Sequence, residues 1–251
     1  MAVGVASRHP MRRELTLDGR SSLPDTLDDV ILGIDTSLGT AVAVVDTDGA
    51  VRAEAVSADP LGHAEIIGTL LTQVMTDAAR GPIGQTAAPE PVALTAVAAG
   101  MGPGPFTGLR VGIAAARAFA LGQRIPVVPV VSHDAAALAT YLADPFADLP
   151  RFAVVTDARR REVAYTVYTG VDDDGLPVRA AAPQLAKRDE VDAVLADLGA
   201  ERRDVTAIPG AMIALVAARA AAAGRIEQLD EPLYLRAPDV TMPAPRKKVG
   251  S

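Results

Sequence analysis

Two aspartates stand at matching points of this chain. Asp35 closes the apolar run Val30-Ile31-Leu32-Gly33-Ile34, and Asp157 closes Phe152-Ala153-Val154-Val155-Thr156. A carboxylate at the end of a buried strand can hold a metal or accept a proton from an attacking hydroxyl. Thr36 and Ser37 add hydroxyl groups beside the first. An Asp in that place can equally cap a polar turn. Between the two aspartates lies Gly102-Pro103-Gly104-Pro105-Phe106-Thr107-Gly108-Leu109-Arg110, after the short apolar run Leu94 to Ala99. Its G-x-G-x-x-x-G spacing is one residue off the dinucleotide fingerprint, and no Gly-Lys-Ser/Thr follows to make a P-loop. Gly102, Gly104 and Gly108 let a backbone or a ligand come close. The N–H groups at the start of the next helix suit an anion, and the same turn can serve only to seat a helix on a sheet. Arg110 has three readings: an anion, a partner's carboxylate, or a turn.

Other chemistries fare worse. Ser132-His133-Asp134 holds the residue types of a peptidase triad, but three consecutive residues cannot align nucleophile, base and orienter. There is no Cys, and His9, His63 and His133 include no pair at helical ligand spacing. No metal site and no catalytic residue is therefore assigned. A net charge of −7 argues against a chain that grips nucleic acid by itself. No apolar run approaches the roughly 18 residues of a membrane span, and residues 1–29 lack a signal-peptide core, so a cytoplasmic protein without membrane contact is expected.

The elements that must position these residues form two similar series. Strands are expected at Val30 to Ile34, Ala41 to Asp46 and Val51 to Ala58, then a helix from His63 to Arg80 and a strand over Leu94 to Ala99. A second helix follows, with Thr107 as its N-cap and Gly122 as its stop. A strand at Pro126 to Val131 and a helix at Ser132 to Ala143 complete the first half. The second half repeats the order: strands at Phe152 to Asp157, Glu162 to Tyr168 and Val178 to Leu185, a helix at Asp189 to Leu198, a strand at Val205 to Pro209 and a helix at Ala211 to Ala223. Both halves read βββαβα, a duplicated α/β unit with the two carboxylates facing one cleft. The second copy is degenerate, since Ile208-Pro209-Gly210-Ala211 is a much shorter glycine turn. The meander before the glycine turn contradicts a simple dinucleotide-binding βαβ unit. The expected boundaries are a disordered extension over 1–29, lobes over 30–135 and 136–236 with the last helix able to pack back on the first lobe, and a flexible basic tail over 237–251. The first helix carries two apolar ridges, wider than one sheet contact needs. Either both are core, or one meets a partner.

The duplicated order with an Asp after each first strand resembles the actin-like, sugar-kinase-like superfamily. Four motifs narrow the resemblance to the TsaB (YeaZ) family: Ile34-Asp35-Thr36-Ser37, the stretch from Gly102 to Arg110, Asp157-Ala158-Arg159 through Glu162-Val163, and Pro232-Leu233-Tyr234-Leu235-Arg236. Pro105 stands where that family's pattern has Ser, which removes a hydroxyl and a backbone N–H. The resemblance implies a non-catalytic scaffold in the modification that places threonylcarbamoyl on the adenosine beside the anticodon of ANN-decoding tRNAs. It implies pairing with the transferase TsaD, help in recruiting the ATPase TsaE, self-pairing when alone, and tRNA contact only through the complex. No cofactor is implied for this chain, with ATP or ADP and metal on the partner subunits. The implied interface is His63, Ile66, Ile67, Leu70, Leu71 and Val74 on the first helix, with Thr107, Arg110, Val111, Ala114, Ala115 and Ala118 on the second. Asp35, Thr36, Ser37, Gly102, Gly104, Gly108 and Asp157 are implied to be a vestigial nucleotide cleft. The alternative from the superfamily is an ATP-dependent phosphotransferase, which would need a second phosphate loop.

Overall fold

A computed structural model describes residues 30–59, 62–83 and 88–236. The extension 1–29 and the tail 237–251 lie outside the described residues. The first sheet has the order β3-β2-β1-β4-β5, built from β1 (Val30–Asp35), β2 (Thr40–Asp46), β3 (Val51–Ser57), β4 (Ala96–Gly100) and β5 (Val127–Val130). The β1-β2-β3 meander is antiparallel, whereas β4 and β5 run parallel to β1. The second sheet contains β6 (Phe152–Asp157), β7 (Glu162–Val171), β8 (Pro177–Arg179), β9 (Gln184–Lys187) and β10 (Glu201–Asp204), with β6 central between β10 and β7.

Helices make three further layers. α1 (His63–Ala78) and α2 (Phe106–Gln123) cover the outer face of the first sheet, where Leu32, Ile34, Val42, Val44, Val97 and Ala99 meet them. α3 (Ser132–Ala143) and α5 (Gly210–Ala222) lie between the sheets, against Ile31, Val45 and Ala98 on one side and Phe152, Val154 and Tyr168 on the other. α4 (Val191–Asp197) covers Val155, Val163 and Val167 on the far face of the second sheet. β1 and β2 read as unbroken apolar runs because both of their faces are buried. β3, at the edge, alternates buried and exposed residues.

The mixed α/β class and the doubled series agree with the sequence reading; four local expectations do not. The third strand of the second unit is split. β8 and β9 both pair with β7; the Ala180 N–H still reaches the Val167 carbonyl at 2.8 Å, and the Ala181-Ala182-Pro183 stretch after it leaves the ladder, in keeping with a proline that has no N–H to give. The last strand is Glu201–Asp204 and not Val205 to Pro209. Its charges sit on a sheet edge, while the apolar run expected to be the strand leads into α5. α2 begins at Phe106 after Pro105, so Thr107 is inside the helix, and it runs past Gly122 to Gln123 and ends in a left-handed Arg124, two residues beyond that glycine. The boundary drawn at 135/136 falls inside α3, a continuous helix. α5 packs on β1 and β2 as well as on α3.

The contact of α5 with β1 depends on one glycine pair. A Cβ on Gly33 would stand 2.2 Å from the Gly210 carbonyl oxygen. Gly33→Ala must push α5 off the sheet and is expected to cost about 2–3 kcal/mol, read by urea unfolding. Gly68→Ala, on an open face of α1 with no neighbour within 4 Å, is expected to stabilise by up to about 1 kcal/mol.

Candidate functional site

Asp35 lies at the centre of the region where the motifs meet, and it is 2% exposed. Its Oδ1 accepts from the Ser37 backbone N–H at 2.8 Å and from Ser37 Oγ at 2.5 Å. Its Oδ2 accepts from Ser132 Oγ at 2.5 Å. Ser132 Oγ in turn accepts from the N–H of Gly102 at 3.0 Å. Burial pushes the carboxyl pKa up from its ordinary value, and the three donated hydrogen bonds oppose that rise. The end of β1, the glycine turn and the start of α3 are thereby tied at one carboxylate.

The neighbouring residues extend the knot. Thr36 Oγ1 donates to the Gly108 carbonyl at 2.8 Å, and His63 Nδ1 bonds Thr40 Oγ1 at 2.8 Å. The glycines are where they are because the Asp35-Thr36-Ser37 turn presses on them. An added Cβ would come 1.9 Å from Asp35 Oδ2 at Gly100, 2.8 Å from the Ser37 Cα at Gly104, 2.8 Å from the Thr36 carbonyl at Gly108 and 2.1 Å from Thr36 Oγ1 at Gly112. Gly102, with φ +95°, also needs the left-handed region. Of the two readings of this turn, close packing is the one its surroundings support.

Asp157 does not join Asp35. Its side chain is exposed and paired with Arg188. The expected single cleft with two facing carboxylates is thus corrected: one is sealed in the first lobe and the other stands at the surface. Between the glycine turn and the second sheet there is a cavity of about 50 Å³, lined by Gly104, Pro105, Thr156, Asp157, Leu235 and Arg236. A nucleotide needs several hundred cubic ångströms. Leu235 and Arg236 bring the segment before residue 237 to the cavity wall. Leu233 N–H donates to the Met101 carbonyl at 2.8 Å, and Arg236 pairs with Glu162. Tyr234 stacks on Phe106 with ring centroids 4.7 Å apart. Arg110 lies 3.7 Å above the Phe106 ring and donates Nε–H to the Tyr234 hydroxyl at 3.0 Å. The three readings of Arg110 give way to a fourth, an in-chain cation–π sandwich. Sequence reasoning missed it because its members are 124 residues apart.

Ser132, His133 and Asp134 enter three different networks. Ser132 serves Asp35. His133 is held between Thr166 Oγ1 at 2.7 Å and Thr156 Oγ1 at 2.9 Å, and burial pushes its pKa down to about 3. Asp134 accepts from the Tyr168 hydroxyl at 2.7 Å and pairs with Arg179 at 3.2 Å. Burial raises its pKa, against the pull of Arg179. Among the described residues no group of three His, Asp or Glu side chains is placed to share a metal ion.

The surface of α1 and α2 sorts the residues assigned to it. His63, Ile67, Leu70 and Val74 are buried in the first lobe and present nothing outward, a correction for those four. Ile66, Leu71, Val111 and Ala115 are half-buried, and Thr107, Arg110, Ala114 and Ala118 are exposed. Met75, of the same helix's apolar ridges, and Phe119 lie half-buried with them. Of the two ridges on α1, then, one is core and the other is a half-exposed apolar shelf continued by α2. In the turn between β6 and β7, Arg159, Arg160 and Arg161 occupy three successive left-handed positions, with φ of 62°, 52° and 63°. Such positions cost a non-glycine residue roughly 1–2 kcal/mol each. The turn is pinned by Glu162 N–H to the Arg159 carbonyl at 2.9 Å and by Arg188 N–H to the Arg161 carbonyl at 2.7 Å.

The model of the family described as TsaD, tRNA N6-adenosine threonylcarbamoyltransferase, matches residues 61–195. The chain belongs to the TsaD family. Within it the chain is TsaB/YeaZ-like. It resembles a solved Pseudomonas aeruginosa protein described as similar to the peptidase YEAZ, with 21% identity, coverage of 83% of this chain and 100% of that one, and a TM-score of 0.63. It is 29% identical to the Escherichia coli tRNA threonylcarbamoyladenosine biosynthesis protein TsaB, over 58% of this chain and 57% of that protein. An uncharacterised Mycobacterium tuberculosis protein is 41% identical over 61% of this chain, and the match spans 65% of that relative's length. Among the described residues of this TsaB-like chain, no helix is long and apolar enough to cross a membrane.

His133 supplies a pH test of the packing between the lobes. Its folded pKa lies below the unfolded value of 6.5, so the unfolded state binds the extra proton and stability is lost as pH falls from 6.5 toward 3. Relative to His133→Gln, which does not titrate, the unaltered chain is expected to lose about 2 kcal/mol between pH 7 and pH 5 in denaturant unfolding.

Proposed function

We propose that this chain is the non-catalytic scaffold of the complex that places threonylcarbamoyl on the adenosine next to the anticodon of ANN-decoding tRNAs. In this reading it pairs with the TsaD transferase, supports recruitment of the TsaE ATPase, and pairs with itself when alone. The observation that carries the reading is a contrast between two faces. The groups with chemical potential, Asp35 and the glycine turn, are consumed by contacts within the chain. The α1–α2 shelf of Ile66, Leu71, Met75, Val111, Ala115 and Phe119 is left half-exposed. Membership of the TsaD family and likeness to proteins of threonylcarbamoyladenosine synthesis support the reaction named.

Small residues on α2 suit the scaffold role. Ala114, Ala115 and Ala118 let a second pair of helices approach closely, so that four helices, two from each partner, form the interface. Each 100 Å² of apolar surface buried there would contribute about 2.5 kcal/mol before the costs of association. ATP or ADP and metal belong to the partner subunits in this reading, and this chain needs no cofactor. It works in the cytoplasm, and tRNA reaches it through the complex.

Reconstitution from purified components tests the proposal. Omitting this chain is expected to abolish most threonylcarbamoyl transfer to tRNA, while the chain alone neither modifies tRNA nor turns over ATP. Unchanged transfer without it would overturn the scaffold role, and ATP turnover by the chain alone would favour a phosphotransferase. Leu71→Asp, on the shelf, is expected to weaken pairing with the transferase at least about tenfold in sedimentation or titration experiments, with the chain still folded.

A further inference from the structure

The arginine turn between β6 and β7 lies apart from the α1–α2 shelf that carries the scaffold reading. Arg159, Arg160 and Arg161 are exposed and consecutive, and each is held in the left-handed region that glycine would occupy without strain. The turn is not loose. Its carbonyls at Arg159 and Arg161 accept backbone hydrogen bonds from Glu162 and Arg188, and Ala158 N–H donates to the Glu162 carbonyl at 3.1 Å. Strain kept in a pinned turn marks a functional segment more often than a structural one.

Charge gives the segment its chemistry. In a chain of net charge −7, residues 157–162 with Arg188 and Arg236 bring together five arginines and two carboxylates. Asp157 pairs with Arg188 and Glu162 with Arg236. The two nearby acids are therefore engaged by arginines outside the turn, and the side chains of Arg159 and Arg161 are exposed at the surface. At physiological salt the chain's other charges are screened beyond about 8 Å, so the patch acts on what touches it despite the overall negative balance. Guanidinium forks match phosphate oxygens in pairs.

We propose that the Arg159–Arg161 turn is a contact for the phosphodiester backbone of RNA, and that through it this chain touches the tRNA directly. This rests on the scaffold reading for the identity of the RNA, and it alters that reading in one respect: the chain helps to hold the substrate and is not only a partner of the subunit that does. The contact is to backbone and carries no sequence preference, as expected of arginines without an aromatic platform beside them.

The test uses Arg159→Gly/Arg161→Gly in the full chain. Glycine accepts the left-handed backbone, so the double variant removes two charges without disturbing the turn, and its thermal midpoint should not fall. The affinity of the assembled complex for a tRNA transcript is measured by fluorescence anisotropy across a salt series. The double variant is expected to bind about tenfold more weakly, with the log–log salt slope reduced by about two. Arg124→Glu, an exposed charge change at the end of α2, is expected to leave both unchanged. Equal affinity and slope for the double variant and the unaltered chain would overturn the proposal. So would loss of pairing with the transferase in the absence of RNA, which would make the turn a protein contact. If the unaltered chain does not pair with the transferase, the scaffold reading fails. The same titration on the chain alone then decides the RNA contact: binding that falls in the double variant sustains it, and no difference between the two overturns it.

Discussion

The buried carboxylate of Asp35 organises the first lobe. A charge so far from water is tolerated only when its lone pairs are met, and here donors come from Ser37, two residues on, and from Ser132, 97 residues on. Ser132 is fixed in turn by the Gly102 N–H. Removing either serine hydroxyl would leave a buried oxygen short of a partner, at a cost of about 1–3 kcal/mol. The order of the chain follows from this. β1 must end where the glycine turn passes, and α3 must start within reach of both. Gly100 has no side chain because Asp35 Oδ2 occupies the place where a Cβ would stand.

The same constraint explains why the glycine turn has the look of a ligand loop: it is shaped by close packing within the chain. Glycines admit a phosphate and a neighbouring backbone equally well. In this chain the visitor is the Asp35-Thr36-Ser37 turn, which lies against Gly104, Gly108 and Gly112. Pro105 fits that arrangement. It removes a donor at the position before α2 and sets an extended backbone, with φ −61° and ψ 134°, from which the helix starts. The second unit repeats the principle in reduced form. Gly210 opens α5 against β2, and Gly33 lets the Gly210 carbonyl reach β1. One close helix–sheet approach belongs to each copy.

What was legible in the sequence follows from the range of each signal. Buried strands such as Val30–Asp35 and Phe152–Asp157 announce themselves by unbroken apolar runs, and the repeat of Asp at their ends exposes the duplication. Glu201–Asp204 could not be read, because an edge strand of four charged residues has no hydrophobic signature and is made by its parallel pairing with β6. The apolar stretch after it drew the assignment instead. The facing of Asp35 and Asp157 failed for a different reason. Equivalent places in two copies need not meet when the copies are joined through α3 and α5 packed between the sheets. The stack of Phe106, Arg110 and Tyr234 and the clamp of His133 by Thr156 and Thr166 depend on long-range folding, which no local pattern reports.

Helix α1 carries a second apolar ridge beside the one that seats it in the core. Ile67, Leu70 and Val74 already hold it to β2 and β3, so its stability does not require the second ridge of Ile66, Leu71 and Met75. A monomer with no use for that ridge gains solubility by making it polar. Keeping it apolar beside Val111 and Phe119, on two helices fixed to one sheet, provides a rigid face that loses little conformational entropy on docking. The strap of residues 232–236 adds to this rigidity. Tyr234 packs on Phe106 and bonds Arg110, and so ties the first turn of α2 to the end of the described chain. Lining the small cavity and stiffening the shelf are thus the work of one segment, and loosening it would act on both.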